Sequence, residues 1–128
     1  MTKPQVDVEA AAGAFKALAD ESRLRIMLAL VDRELCVCQM VNLLGLAPPT
    51  VSRHLQVMKD AGLLEGNKRG RWVYYRFRER PEAKALLTML RPMLDTLHGS
   101  ERARSDRTDL NKILKIDPTE LCRRLNRC

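Results

Sequence analysis

The chain has 128 residues, 45% of them hydrophobic and 30% charged, with a formal net charge of +7. That is length for one compact domain plus a tail, of a composition that folds, and no apolar run nears the roughly 18 residues a membrane span needs. The N-terminus, Met1-Thr2-Lys3-Pro4, has no export signal, so the expectation is a cytoplasmic protein with reduced thiols and no membrane partner.

Apolar residues Val8, Ala11, Ala12, Phe15, Leu18 and Ala19 predict an amphipathic helix over about 7–19. Asp20-Glu21-Ser22 interrupts it and caps a second helix striped by Leu24, Met27, Leu28 and Val31. A short third helix is expected over about 36–44, closed by Gly45, and a fourth starts at Pro48-Pro49 with Val51, Leu55 and Met58 on its inner face. Leu63-Leu64-Glu65 and Trp72–Phe77 read as two strands, and alternation sends Val73, Tyr75 and Phe77 to one face. Residues 82–98 predict a helix with a wide stripe of Leu86, Leu87, Leu90, Met93, Leu94 and Leu97, bent or broken at Pro92. Residues 99–105 read as a linker and 106–115 as a short helix, and Asp117-Pro118-Thr119-Glu120 caps a last turn ending at Cys128.

The fold expected is mainly α with a small β-hairpin. Residues 1–98 form a winged helix-turn-helix, and residues 99–128 form a basic, partly helical tail. Charge agrees with a nucleic-acid partner: residues 53–78 carry seven basic and two acidic groups, against five and six in residues 1–52. On the fourth helix Thr50, Ser52, Arg53, His54 and Gln56 are the polar groups available to a double-stranded DNA groove, where Arg53 suits guanine and Gln56 adenine. Lys68, Arg69 and Arg71 at the hairpin tip suit phosphate or minor-groove contact, which positions rather than specifies. Catalysis has no support: there is no Cys-x-x-Cys, no Gly-rich phosphate loop and no histidine in a nucleophile motif.

Four stretches, Ala17–Ile26, Glu34-Leu35-Cys36-Val37-Cys38, Val51-Ser52-Arg53-His54-Leu55 and Gly70–Arg76, together resemble the ArsR/SmtB family of metal-responsive repressors over about residues 10–98. The resemblance implies a winged-helix homodimer, joined through its first and last core helices, that leaves its operator when a toxic ion binds. The wide stripe on 82–98 is what such a seam would need.

Cys36 and Cys38 lie off the stripe that Val37 joins, at a helix N-terminus expected to favour thiolate, and soft thiolates select soft ions. Residues i and i+2 of an ideal helix point about 200° apart, so capture of one ion by both thiols is expected to unwind the first turn. Glu-Leu-Cys-Val-Cys resembles the family's arsenic site, which implies trivalent arsenic (arsenite) or antimony as the inducer. Where the compared pattern has a third cysteine, this chain has Val41. Either Cys122 or Cys128 substitutes, or two thiols suffice for a methylated arsenical. Asp95, His98 and Glu101 offer a fainter likeness to interfacial zinc sites of relatives. A cadmium, lead or zinc sensor and a thiol-redox sensor are alternatives on the same fold; a small thiol enzyme or arsenic carrier is the remote one.

Overall fold

The computed structural model describes residues 6–125. Helix α1 spans Val8–Leu18 and α2 Glu21–Ala29, each started by an aspartate: the Asp7 carboxylate accepts from the Ala10 N–H at 2.7 Å and Asp20 accepts from Arg23 N–H at 3.1 Å. A two-residue strand β1, Leu35–Cys36, leads into α3, Val37–Leu44, which ends at Gly45 in the left-handed region (φ 67°). Helix α4 is Pro48–Asp60, with proline at its first positions, where no N–H is needed. Strands β2, Leu64–Arg69, and β3, Trp72–Phe77, pair antiparallel, with Arg69 opposite Trp72, and Gly70 takes the positive φ of 62° that the tight loop requires. β1 lies on the other edge of β3, with Cys36 opposite Tyr74, giving sheet order β1-β3-β2.

Helix α5, Pro81–Leu97, runs on through Pro92, whose ring is exposed, so the expected break does not occur. The core joins α1, α2, α3 and α4 around Ile26, Met27, Leu30, Met40, Val51, Leu55 and Met58, all at most 1% exposed. Of the α5 stripe, Leu86, Leu90 and Leu94 are buried and Leu87, Met93 and Leu97 half-buried, while Met89, off the stripe, is 55% exposed and Phe15 on α1 53%.

The largest departure from expectation lies beyond residue 98. The predicted linker is helical: Ser100 caps α6, Glu101–Ile113, and Asp117 caps α7, Pro118–Arg124. Helix α6 packs on α2 and α3, and α7 packs on α3. Leu110, Ile113 and Leu121 are buried in the same core, each contributing on the order of 1.5–3 kcal/mol. Arg25 on α2 holds both carboxylate oxygens of Asp106 on α6, at 2.8 and 2.9 Å, with both side chains under 15% exposed. Described residues 99–125 are therefore docked on the winged core. The last turn expected after Asp117 is thus present as α7, and only its expected continuation over 126–128 lies outside the described residues.

Candidate DNA interface and thiol site

On α4 the apolar face is buried at Val51, Leu55 and Met58, and Thr50, Ser52, Arg53 and Gln56 are exposed along the opposite side. Arg53 makes no ion pair among the described residues. Gln56 is engaged within its own helix, donating to Asp60 at 2.7 Å. His54 is half-buried, with Nδ1 3.1 Å from the Arg23 guanidinium, so it faces α2 rather than open solvent. Arg23 also donates to the carbonyl of Ala17, at the end of α1.

At the hairpin tip Lys68 and Arg71 are exposed, and Arg71 lies 5.8 Å from the Trp72 ring centroid. Arg69 is exposed as well but engaged on two sides: it pairs with Glu34, just before β1, and sits 4.0 Å from the Tyr74 ring centroid. Tyr75 and Phe77 pack against the core, as the strand alternation requires. The exposed polar groups of α4 and the basic tip groups thus come from two adjoining elements, α4 and the wing.

Cys36 is not the first residue of a helical turn. It is the N-cap of α3, with extended φ −85° and ψ 164°, and it belongs to β1. Its N–H donates to Gln39 Oε1 at 2.9 Å, and Gln39 is itself buried. The 200° separation of successive helical side chains therefore does not apply to Cys36 and Cys38. An N-cap side chain folds back over the first turn, on which Cys38 is the second residue, so the expected unwinding is not required. A second expectation also fails. Burial pushes the Cys36 thiol up from its ordinary value, and the N–H groups of Gln39 and Cys38, which act in the opposite direction, do not overcome it.

Cys36 and Cys38 line one cavity of about 190 Å³ with Val37 and Val41 of α3. Pro48 and Ser52 of α4 form another wall, and Arg71, Trp72 and Val73 of the wing a third. Cys122 and Leu125 close it from α7 and the residue that follows. Cys122 is 1% exposed and, against the expectation of reduced thiols, disulfide-bonded. Cys128 lies outside the described residues. Among those residues no three His, Cys, Asp or Glu groups come close enough to hold a metal ion. That removes the Asp95, His98 and Glu101 grouping; the backbone carbonyl of His98 accepts from Arg107 at 2.7 Å instead. No helix is long and apolar enough to cross a membrane among the described residues.

What the sequence does not show here is that Trp72 and Val73 of β3 line the thiol cavity, brought there by the pairing of β1 with β3. The only local signal was the apolar pair Leu35-Cys36, too short to show a strand period.

A buried-faced helix with exposed polar groups, preceded by a short helix and followed by a basic hairpin, defines a winged helix-turn-helix of the DNA-binding regulators, not an enzyme fold. The family profile described as "Bacterial regulatory protein, arsR family" matches residues 20–65. The arsenical resistance operon repressor of Escherichia coli K12 is 49% identical over 63 residues, which cover 48% of this chain and 54% of that protein. The cadmium resistance regulatory protein CadC of Listeria innocua is 43% identical over 70 residues, covering 54% and 59%. A 1–100 fragment of a possible transcriptional regulatory protein from Mycobacterium bovis superposes with a TM-score of 0.57 at 30% identity, covering 69% of this chain and 94% of the fragment. Its solution structure is described as a homodimeric winged helix-turn-helix DNA-binding domain of a possible ArsR-family regulator. The chain belongs to the ArsR family. It spans little more than half the length of the two curated relatives.

Proposed function

We propose that the protein is a transcriptional repressor that binds operator DNA as a homodimer and is released by trivalent arsenic or antimony captured by Cys36 and Cys38. One observation carries this reading: the cavity bearing both thiols is also walled by Ser52 of α4 and by Arg71 and Trp72 of the wing. A ligand there touches the two elements that carry the DNA-facing groups. Thr50, Ser52 and Arg53 read bases, and Lys68 and Arg71 hold phosphate. Exposed Phe15 and Met89, on the first and last core helices, are the apolar surface that a second copy would cover.

Trivalent arsenic or antimony suits the site because Glu34–Cys38 carries the thiol pattern and the sulfurs of Cys36 and Cys38 line one cavity. A cadmium-responsive repressor is the second reading, favoured by the likeness to CadC. The discriminating experiment is a DNA-shift titration with arsenite, antimonite, cadmium and zinc side by side. Release by cadmium or zinc alone would replace the arsenic reading, and failure to bind duplex DNA at all would remove the repressor.

A further inference from the structure

Helix α6 docks on the winged core without sealing against it. Between α2 and α6 lies a cavity of about 280 Å³ that shares no residue with the thiol cavity. Folded interiors hold few voids larger than a water, and the wall of this one gives it a definite chemical character. Much of it is carbon: Leu28 and Val31 come from α2 and the turn after it, Leu43 from α3 and Leu110 from α6. Ala29 and Ala103, 7% and 3% exposed, line it with one methyl each. A leucine at either place would occupy the space.

The charges on the wall do not cancel. Both oxygens of Asp106 accept from Arg25, and the Asp32 carboxylate lies 3.7 Å from Arg91, which is off the wall. Two guanidiniums remain. Arg33 follows Asp32 onto the wall through a turn in which Asp32 takes a left-handed φ of 58°, and its side chain makes no hydrogen bond or ion pair among the described residues. Arg107 donates from Nη1 to the carbonyl of His98 at 2.7 Å, and that nitrogen lies 3.3 Å from His98 Nδ1. The Nε–Nη2 edge of Arg107 makes no bond among the described residues. Such an edge is the planar fork that takes a carboxylate through two parallel bonds, and Arg25 uses the same edge on Asp106 in this very wall.

We propose that the α2–α6 cavity is a second ligand site, for a small monocarboxylate with an aromatic or branched apolar body. The carboxylate pairs with Arg107 and Arg33, and the carbon lodges among Leu28, Leu43 and Leu110. An inorganic anion would leave the carbon wall uncovered, and an uncharged ring would leave the fork unused. Size agrees: an apolar cavity of about 150 Å³ takes benzene, and about 280 Å³ takes a ring with its carboxylate. The site needs neither thiol, so it stands or falls apart from the arsenic reading. It gives the protein a route by which a second class of small molecule tightens the docking of α6 on α2.

The test titrates benzoate against the full chain by isothermal calorimetry. Benzamide serves as its uncharged counterpart, and acetate and inorganic phosphate as anions without a ring. Ring-to-methyl NOEs on methyl-labelled protein locate the ligand. The expected result is one benzoate per chain, bound at least tenfold more tightly than each of the other three, with NOEs to Leu28, Leu43 and Leu110 and a raised Tm. Arg33→Gln with Arg107→Gln weakens benzoate at least tenfold. Ala103→Leu, which fills the cavity, abolishes its binding, and Cys36→Ser with Cys38→Ser leaves the affinity within twofold.

Absence of saturable benzoate binding at millimolar concentration overturns the proposal. So does benzamide as tight as benzoate, which makes the cavity a neutral apolar one, and so does acetate or phosphate as tight, which makes the arginines an unselective anion patch. NOEs to Val37, Val41 or Val73 instead, or loss of binding with the two thiols, assign benzoate to the thiol cavity and overturn it equally. The ligand comparison and the NOEs are read on the unsubstituted chain, so they decide the matter even if a variant fails to fold.

Discussion

Replacing Asp106 by Ala tests whether α6 is part of the folded unit. The substitution leaves the Arg25 guanidinium, whose side chain is 14% exposed, without its two carboxylate bonds at 2.8 and 2.9 Å. Breaking a buried pair from one side typically costs about 3–5 kcal/mol. Here the cost is set lower, at about 2–4 kcal/mol, because the pair borders a cavity between α2 and α6 and both side chains keep some exposure. A chain of this length is stable by roughly 6–15 kcal/mol, so a large part of the margin is at stake, with a fall in Tm of roughly 10 °C. The assay is urea unfolding followed by circular dichroism. Arg25→Met and Asp106→Leu are made singly and together to close a double-mutant cycle. The double variant, with apolar groups on both sides, is expected to recover most of the loss, since a buried pair exchanged for packed carbon is often neutral. An Asp106→Ala protein within about 0.5 kcal/mol of the parent, the scatter of ordinary surface substitutions, would refute the docking of α6 and return residues beyond 98 to a loose tail.

Three further outcomes are expected. Cys36→Ala and Cys38→Ala keep helical content and DNA binding in a gel-shift assay but no longer release DNA with an arsenical; loss of DNA binding together with helicity would make both cysteines structural. Arg53→Ala relaxes base preference and costs about 1–3 kcal/mol of specific binding, whereas Lys68→Ala weakens all sequences alike and lowers the salt slope by about one; Arg69→Ala has the smaller effect of the two tip residues because its guanidinium is already paired with Glu34. Asp20→Ala removes the α2 cap and costs about 1 kcal/mol at neutral pH; the backbone N–H of Arg23 holds the Asp20 carboxyl below the usual carboxylate range, so the difference between parent and variant is full above about pH 4 and shrinks as pH falls through the folded value, which stability curves across that range measure.

The legible parts of this fold were those written in local periodicity. Val51, Leu55 and Met58 mark the buried side of α4 so clearly that the groups left for DNA follow by subtraction. Aspartates before α1, α2 and α7, and prolines at the starts of α4 and α7, mark helix ends because backbone N–H groups there need partners. The illegible parts depend on residues far apart in the chain. Arg25 meets Asp106 across 81 positions, and Glu34 meets Arg69 across 35. The linker reading of 99–105 failed for a particular reason: the buried stripe of α6 is Ala103, Asp106, Leu110 and Ile113, and a carboxylate in the second place hides the apolar period. β1 escaped notice because two residues cannot display an alternation, and with it went the extended conformation of Cys36.

That short strand has a mechanical consequence. Because Cys36 is laddered directly to Tyr74 of β3, the backbone that carries the thiol and the wing are one strand spacing apart, about 4.8 Å. A push at the sulfur reaches the hairpin as the motion of a short lever, without passing through the packed helices. On the proposed function, signal and scaffold are accordingly separable. Trimming a core side chain such as Leu30 or Met40 lowers the melting point while leaving the dose at which effector acts nearly fixed. A change in the Cys36–Tyr74 pairing is expected to do the reverse, shifting the effective dose while the melting point stays nearly fixed.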